Sequence, residues 1–190
     1  MEIIDIRPQD TELVNQAAIL LVEGFRNTGS TSWSDLDAGL KEVAELLQKD
    51  KIALAAVNDH RMLLGWVGGI RHYDGHAWEL HPLVVKIENR NQGVGRSLVA
   101  FLEKRVVELG GNTIYLGTDD ENYRTSLSGK DLYPDVLMNL LHIENKSDHP
   151  YEFYQKVGFT ITGVIPDANG WGKPDIFMAK KVGKSIYTGR

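Results

Sequence analysis

The segment Arg90-Asn-Gln-Gly-Val-Gly95 constrains the fold of this chain more than any other. It stands between a predicted strand and a predicted amphipathic helix over 94–109, which ends at two glycines. Glycines allow tight turns and close backbone approach, and the amides at a helix N-terminus attract a pyrophosphate. The segment is neither a nucleoside-triphosphate loop nor a dinucleotide fingerprint, because the residues that follow do not fit either pattern. It is therefore a plain turn or the binding site of a phosphate-bearing cofactor.

The predicted strand before this loop, residues 77–85, contains Pro82. Proline has no amide hydrogen to donate to a neighbouring strand, so Pro82 predicts a bulge or a place where pairing stops. Backbone amides that a bulge releases from one neighbour can bind a ligand instead. A bulged strand leading directly into a glycine loop favours the cofactor interpretation over the plain turn.

The other segments alternate between strand and helix patterns. Strands are predicted over 2–6, 52–57, 62–70, 112–117, 160–165 and 175–180, and helices over 13–21, 36–47, 132–143 and 149–157. Asp10 is the predicted N-cap of the first helix, and Ser34 with Asp37 forms a capping-box pattern for the second. Trp33, at the end of a polar link over 27–33, either packs on its helix or forms a wall of a substrate groove.

This pattern predicts an α/β fold with a single domain over residues 1–182 and a C-terminal tail over 183–190. The chain has no cysteine, which removes disulfides, thiolate metal sites and cysteine nucleophiles and agrees with a cytoplasmic protein. No apolar run is long enough to span a bilayer. The net charge of −5 argues against a nucleic-acid binder and suits a cationic substrate. The six histidines lack metal-ligand spacing, so we expect no metal.

The glycine loop resembles the signature of the GNAT superfamily of N-acetyltransferases, Arg/Gln-x-x-Gly-x-Gly/Ala, which Arg90, Gly93 and Gly95 match. Longer strings resemble the chromosomal-type aminoglycoside 6'-N-acetyltransferases of Gram-positive bacteria. They lie at residues 78–85, 111–120, 149–154 and 169–176. The resemblance is weakest in the first two helices and after Lys181. It implies a mixed central sheet, flanked by helices and splayed into a V around acetyl-CoA.

The resemblance also implies a set of cofactor-binding residues. They are His81, Leu83, Val84, Val85, Arg90, Asn91, Gln92, Gly93, Val94, Gly95, Arg96 and Tyr154. In this scheme the backbone of Leu83 and Val85 binds the pantetheine arm, which lies along the bulged strand, and residues 92–96 hold the pyrophosphate. An amide near Leu83 polarises the thioester carbonyl as negative charge develops on its oxygen.

Glu79, Tyr154 and Leu83 are the catalytic candidates that follow from the resemblance. A carboxylate is a weak base toward an ammonium, so Glu79 acts through water, has a raised proton affinity, or simply binds the cation. Without the resemblance, Glu79 is equally a solvated strand residue or the partner of a lysine. Tyr154 donates a proton to the departing thiolate or bonds the sulfur. His81 is an alternative base or a structural hydrogen-bonding group.

The acceptor implied by the resemblance is the 6'-amino group of an aminoglycoside, acetylated by direct transfer. Asp119 and Asp120, at the end of a predicted strand, bind its ammonium groups or merely terminate the strand. Trp78 and Trp171 are interpreted as packing residues. Two alternatives remain at this point: acetylation of polyamines or protein lysines, and a non-catalytic acetyl-CoA-binding module. The resemblance further implies a homodimer and a role in antibiotic resistance.

Overall fold

The computed structural model describes residues 1–26 and 32–183. Most of the predicted polar link over 27–33, and the predicted tail beyond residue 183, lie outside the described residues. Backbone contacts divide the chain into two compact units: Met1–Ile114 with Lys181–Arg190, and Tyr115–Lys180.

Four antiparallel strands form the sheet of the first unit, paired in chain order. They are β1 (Glu2–Asp5), β2 (Lys51–Val57), β3 (Leu63–His72) and β4 (Ala77–Val85). Six of the seven residues of β2 are buried, because helices cover both faces of this sheet. The hairpin predicted between residues 57 and 62 is confirmed, with Asn58 donating its amide to the Met62 carbonyl at 3.0 Å.

Three helices pack on this sheet: α1 (Thr11–Phe25), α2 (Leu36–Leu46) and α3 (Val94–Glu108). The predicted N-cap of α1 is confirmed, since the Asp10 carboxylate accepts a hydrogen bond from the Leu13 amide at 3.3 Å. The capping box predicted for α2 is wrong by one residue. Asp35 is the N-cap, and its carboxylate accepts from the Ala38 amide at 2.9 Å. The Asp35 carboxylate thus has the capping role that the sequence pattern predicted for the Ser34 hydroxyl.

The α1/α2 layer and α3 cover opposite faces of the sheet. On β3, a Cβ added at Gly68 would meet Leu46 of α2, whereas one added at the next residue, Gly69, would meet Leu102 of α3. Successive residues of a strand point to opposite faces, so the two helical layers lie on opposite sides. Trp66 is fully buried under α1 and donates its indole hydrogen to the Ala17 carbonyl at 3.0 Å.

The second unit contains most of β5 (Thr113–Asp119), followed by α4 (Val136–Leu141), α5 (Tyr151–Lys156), β6 (Thr160–Ile165) and β7 (Asp175–Lys181). β7 lies between β5 and β6, and β6 and β7 form the predicted antiparallel hairpin. The helix predicted over 132–143 begins only at Val136, because Pro134 disfavours helical geometry in the residue before it. The helix predicted over 149–157 begins after Pro150, which occupies the N-cap position.

The predicted α/β class is confirmed, because the described residues form seven strands with helices packed on them. The splaying of the strands into a V stays a prediction. Within residues 1–26 and 32–183, every helix is too short or too polar to cross a membrane.

Candidate active site

The bulge predicted at Pro82 is confirmed in β4. Val67 pairs with Leu83 and Gly69 pairs with Leu80, so Gly68 alone faces both His81 and Pro82. The peptide bond between His81 and Pro82 is cis. At the bulge the strands approach so closely that a Cβ on Gly68 would collide with the His81 carbonyl oxygen. Only glycine fits opposite the extra residue.

The extra residue reverses which face of the sheet each side chain of β4 occupies. Residues directly opposite on antiparallel strands point to the same face. Before the bulge, Glu79 is opposite Ile70, which packs on the α1/α2 core, and Leu80 is opposite Gly69 on the α3 side.

After the bulge, the pattern is inverted. Val84 is opposite Trp66 and belongs to the α1/α2 core, so Leu83 lies on the α3 side. Odd-numbered side chains thus change sides between Glu79 and Leu83, and the glycine loop begins α3 on the side that Leu83 occupies.

The loop at Arg90–Gly95 presents the N-terminus of α3. Gly93 is the N-cap residue and has φ +86°, a left-handed conformation that disfavours any residue with a side chain. The first intrahelical bond runs from the Ser97 amide to the Gly93 carbonyl at 2.9 Å. The amides that precede Ser97 therefore have no acceptor within the helix, which is the arrangement that suits a phosphate.

Side chains of the loop bind the backbone that leads into it. The Arg90 guanidinium donates from Nε to the Val85 carbonyl at 3.3 Å, and the Gln92 side-chain amide donates to the Glu88 carbonyl at 2.7 Å. The first bond joins the loop to the last residue of β4, and the second joins it to the segment between β4 and the loop. They hold the loop in shape, so that its backbone rather than its side chains is available to a pyrophosphate.

Glu79 is half-buried and lies 3.4 Å from a histidine, Oε2 to Nε2 of His72. Both side chains lie near the end of β3 and the start of β4, where Ile70 pairs with Glu79. The lysine partner considered from the sequence is replaced by His72, a residue that sequence patterns did not single out. The pairing of β3 with β4 could have identified His72. Glu79 is opposite Ile70, and His72, two residues further along β3, lies on the same face of the sheet as Ile70.

His81 is held by groups of the α1/α2 layer. Its Nε2 lies 3.6 Å from Oε1 of Glu42 on α2, and its ring lies 5.5 Å from the Trp33 ring. Trp33 donates its indole hydrogen to Oε2 of Glu42 at 3.1 Å and packs edge-on against Phe25 at 4.6 Å. The interpretation of Trp33 as a packing residue is confirmed by these contacts with α1 and α2.

In the second unit, Asp120 is almost fully buried and accepts four hydrogen bonds. The donors are the Arg124 and Thr125 amides and the Thr125 and Ser128 hydroxyls, at 2.7 to 2.8 Å. Burial acts to raise the pKa of this carboxyl, but the four donors together outweigh it and the pKa lies below its ordinary value. The Asp120 carboxylate therefore organises the loop over 120–128, and a direct contact with substrate stays a prediction.

Asp119 is exposed, whereas Asp120 beside it is buried. Its carboxylate accepts a hydrogen bond from the Asn169 side-chain amide, and its carbonyl lies 3.1 Å from Nε2 of buried His149. Next to it, burial and the charge of Asp119 raise the pKa of Glu121. Asp119 and Glu121 place two carboxyl groups on this surface, with the positive charge of Lys173 nearby. The carboxyl groups suit the cationic acceptor predicted from the sequence.

Tyr154 lies on α5, half-buried between Phe153 and Phe159, whose ring centroids are 5.2 and 5.7 Å from its own. Burial raises the pKa of its phenol well above the ordinary value. The phenol is therefore a weak acid and a persistent hydrogen-bond donor. The sequence left two roles for Tyr154, a hydrogen bond to the sulfur and proton transfer to the thiolate. The raised pKa favours the hydrogen bond.

The two tryptophans interpreted as packing residues differ. Trp78 is buried and donates to the Gly75 carbonyl at 3.1 Å, which confirms the interpretation. For Trp171 the interpretation is wrong, because 68% of the residue is exposed on the turn between β6 and β7. In that turn the Asp167 carboxylate accepts from the Gly172 amide at 2.6 Å, so the backbone closes without the indole.

Across the described ranges, no group of three or more His, Cys, Asp or Glu side chains is arranged to hold a metal ion. In the first unit, the bulged strand and the N-terminus of α3 can bind a phosphate-bearing carrier, and the two glutamate–histidine pairs can bind a cation and move protons. In the second unit, the half-buried Tyr154 can donate a hydrogen bond and the exposed Asp119 can bind a cation.

The acetyltransferase (GNAT) family profile matches residues 16–126, more than half of the chain. The chain belongs to the GNAT family of acetyltransferases. The family resemblance expected from the glycine loop is thereby confirmed.

Solved structures of aminoglycoside 6'-N-acetyltransferases are similar over nearly the whole chain. One, in complex with coenzyme A, is 42% identical with a TM-score of 0.88, and the alignment covers 97% of this chain and 99% of that one. The enzyme from Enterococcus faecium gives the same values. The aminoglycoside 6'-acetyltransferase type Ii is 37% identical with a TM-score of 0.74 over the same shares. A search of curated proteins found no match.

Proposed function

We propose that this chain is an acetyl-CoA-dependent N-acetyltransferase that acetylates the 6'-amino group of aminoglycosides by direct transfer. The observation that carries the proposal is the 42% identity to an aminoglycoside 6'-N-acetyltransferase bound to coenzyme A, over 97% of this chain. The chain acts as a single catalytic domain over residues 1–182, with a tail over 183–190.

The cofactor assignment rests on β4 and the loop that follows it. The backbone of Leu83 and Val85, past the bulge, binds the pantetheine arm as an added strand, with His81 and Val84 flanking it. The loop residues bind the pyrophosphate through the open N-terminus of α3. They are Arg90, Asn91, Gln92, Gly93, Val94, Gly95 and Arg96. The left-handed Gly93 and the bound side chains of Arg90 and Gln92 support this assignment.

The reaction joins the acceptor amine to the acetyl carbonyl carbon. The nitrogen lone pair forms the C–N bond, the carbonyl oxygen gains negative charge that the Leu83 amide stabilises, and the C–S bond then breaks. The ammonium loses one proton before the attack and a second as the C–N bond forms; the departing thiolate takes up one proton, so one proton is released to solvent overall. At pH 7 an amine of pKa about 8 is roughly one-tenth neutral, so a missing strong base costs only about 1.4 kcal/mol. Orientation therefore contributes more than base strength.

Glu79 binds the acceptor ammonium and accepts its proton, directly or through water. His72, 3.4 Å away, holds the carboxylate in place. Tyr154 bonds the thioester sulfur and the thiolate that replaces it, because its raised pKa keeps the phenol protonated. Asp119 attracts the remaining ammonium groups of the substrate, and Asp120 shapes the loop beside it.

The test is a steady-state assay of thiol release with acetyl-CoA and kanamycin. Neomycin and paromomycin form a matched pair, since the first has an amine and the second a hydroxyl at the 6' position. We expect turnover with kanamycin and neomycin, and none with paromomycin above the rate of acetyl-CoA hydrolysis. Equal rates with both members of the pair would place the reaction at another amine and overturn the proposed regiochemistry.

Polyamines and a lysine-containing peptide, added as competitors to the same assay, test the alternative acceptors. A polyamine with a higher kcat/KM than kanamycin would replace the aminoglycoside as the substrate. Binding of acetyl-CoA without turnover of any amine would leave a non-catalytic binding module.

We further propose that the protein is a cytoplasmic homodimer and that its activity confers antibiotic resistance. The absence of cysteine is in keeping with a reducing compartment. Expression in a susceptible bacterium should raise the inhibitory concentration of kanamycin but not that of paromomycin. Sedimentation equilibrium measures the mass of the assembly against the 21.3 kDa chain.

A further inference from the structure

One carboxylate on α2 binds two aromatic side chains that come from different parts of the chain. Oε2 of Glu42 accepts the indole hydrogen of Trp33 at 3.1 Å, and Oε1 lies 3.6 Å from Nε2 of His81. The side chain of Glu42 is only 19% exposed. Because the Glu42 carboxylate is largely shielded from water, it has few water molecules as alternative partners. Its orientation is therefore fixed by the contacts with Trp33 and His81.

The contact with Trp33 determines how Glu42 faces His81. An indole nitrogen can only donate, so one carboxylate oxygen is committed to Trp33. Trp33 is itself packed against Phe25 and the α1/α2 core, so the committed oxygen cannot rotate away. The second oxygen then faces the imidazole of His81 at Nε2.

We propose that Glu42 is a positioning residue that holds His81 in its Nε2–H tautomer and so leaves a proton-accepting lone pair at Nδ1. A carboxylate facing Nε2 attracts an N–H group and repels a lone pair, even at 3.6 Å, which exceeds hydrogen-bond length. In neutral imidazole one nitrogen carries the hydrogen and the other the lone pair. Fixing the hydrogen at Nε2 therefore makes Nδ1 the acceptor.

The chemical consequence is a second proton acceptor on the strand that carries Glu79. The acceptor ammonium loses two protons in all: Nδ1 of His81 takes the first, directly or through a water molecule, before the nitrogen attacks the thioester, and Glu79 takes the second as the C–N bond forms. The resulting imidazolium faces the Glu42 carboxylate, and the proton then passes to solvent. This inference rests on the proposed amine acetylation for its kinetic role, but the tautomer of His81 can be measured independently of any activity.

The first experiment is nuclear magnetic resonance of the imidazole nitrogens in the full-length protein. Two-bond 15N–1H correlations report the tautomer, and His81→Ala identifies the His81 signals among the six histidines. We expect the Nε2–H tautomer in the unsubstituted protein, and a shift toward Nδ1–H in Glu42→Gln, whose amide donates where the carboxylate accepted. Glu45→Gln, on the exposed side of the same helix, is the matched control and should change nothing.

The second experiment is a double-mutant cycle on kcat with acetyl-CoA and kanamycin. Glu42→Gln should lower kcat about tenfold or more and leave the KM for acetyl-CoA unchanged. In the His81→Ala background the same substitution should change kcat less than about twofold, because its effect passes through His81. A purely structural Glu42 would lower kcat by a similar factor in both backgrounds.

The outcomes separate the two proposals. An Nδ1–H tautomer in the unsubstituted protein, or equal effects of Glu42→Gln in both backgrounds, overturns the role of Glu42. If the unsubstituted protein acetylates no aminoglycoside, the proposed function fails, and the tautomer measurement still decides whether Glu42 controls His81.

Discussion

Nε2 of His72 lies 3.4 Å from Oε2 of Glu79, which connects the end of β3 to the strand that carries the proposed acceptor site. A carboxylate held by one histidine keeps an oxygen for a second cation. Glu79 is half-buried, so its charge is screened less than that of a surface glutamate. The contact with His72 thus fixes the direction in which the Glu79 carboxylate points.

We expect Glu79→Gln to lower kcat/KM for kanamycin about tenfold or more, because the variant loses the charge that binds the ammonium and accepts its proton. The dissociation constant of acetyl-CoA, measured by calorimetry, should not change. Glu23→Gln, an exposed position on α1, is the control. Unchanged turnover in Glu79→Gln would remove Glu79 from both the binding and the proton-accepting role.

The loop before α3 allows a matched comparison of two glycines. Gly93 and Gly110 stand at the two ends of α3 with φ of +86° and +83°, and a Cβ at either would meet no atom within 4 Å. Alanine at each should therefore cost a similar free energy of unfolding, about 1 kcal/mol, from backbone strain alone. Only Gly93→Ala should weaken acetyl-CoA binding, by about tenfold. Calorimetry of both variants checks this, and equal affinities would remove the loop from the pyrophosphate site.

Asp120→Asn tests the loop of the second unit. Asparagine replaces one of the two acceptor oxygens by an NH2 group, which would face N–H and O–H groups that also donate. The free energy of unfolding at pH 7 should therefore fall by about 2 kcal/mol. Because the pKa of Asp120 is lowered in the folded state, its contribution is complete above its unfolded pKa and is lost as pH falls through the folded value.

Urea unfolding at neutral and acidic pH measures the difference in the free energy of unfolding between the parent protein and Asp120→Asn. The gap between the parent protein and Asp120→Asn should narrow toward acidic pH, whereas Asp135→Asn, at an exposed site of the same unit, should lie near the parent throughout. A gap that widens in acid would contradict the lowered pKa.

Tyr154→Phe should lower kcat about tenfold, because the sulfur loses its hydrogen-bond donor. Burial raises the pKa of this phenol, so it stays protonated across neutral and moderately alkaline pH. The ratio of kcat between the parent and the variant should therefore be constant between about pH 6 and pH 9. Tyr123→Phe, an exposed tyrosine of the same unit, is the control. A ratio that falls toward alkaline pH would show that the phenol ionises there.

Local signals in the sequence predicted much of this architecture. Pro82 predicted the bulge because a missing amide hydrogen is a property of the residue itself, and the loop glycines predicted the start of α3 for the same kind of reason. The boundaries of β4 and β6 were predicted to the residue.

Partners that are distant in the chain were not predicted. Glu42 meets His81 only because α2 lies on one face of β4, and Asn169 meets Asp119 only because the turn between β6 and β7 folds back. Burial of Asp120 beside exposed Asp119 likewise depends on the loop that closes over it. Periodicity gives no information about such contacts, because they depend on how the elements pack.

The bulge in β4 fixes a length as well as a shape. One extra residue inverts which side chains of β4 face the α1/α2 layer and which face α3. Glu79 and Leu83 therefore lie on opposite faces although their numbers differ by an even count. Deleting a single residue there would restore a regular ladder and turn every side chain on one side of the gap over to the opposite face. The number of residues between Glu79 and Leu83 is therefore fixed by the face of the sheet that each of these two side chains must occupy.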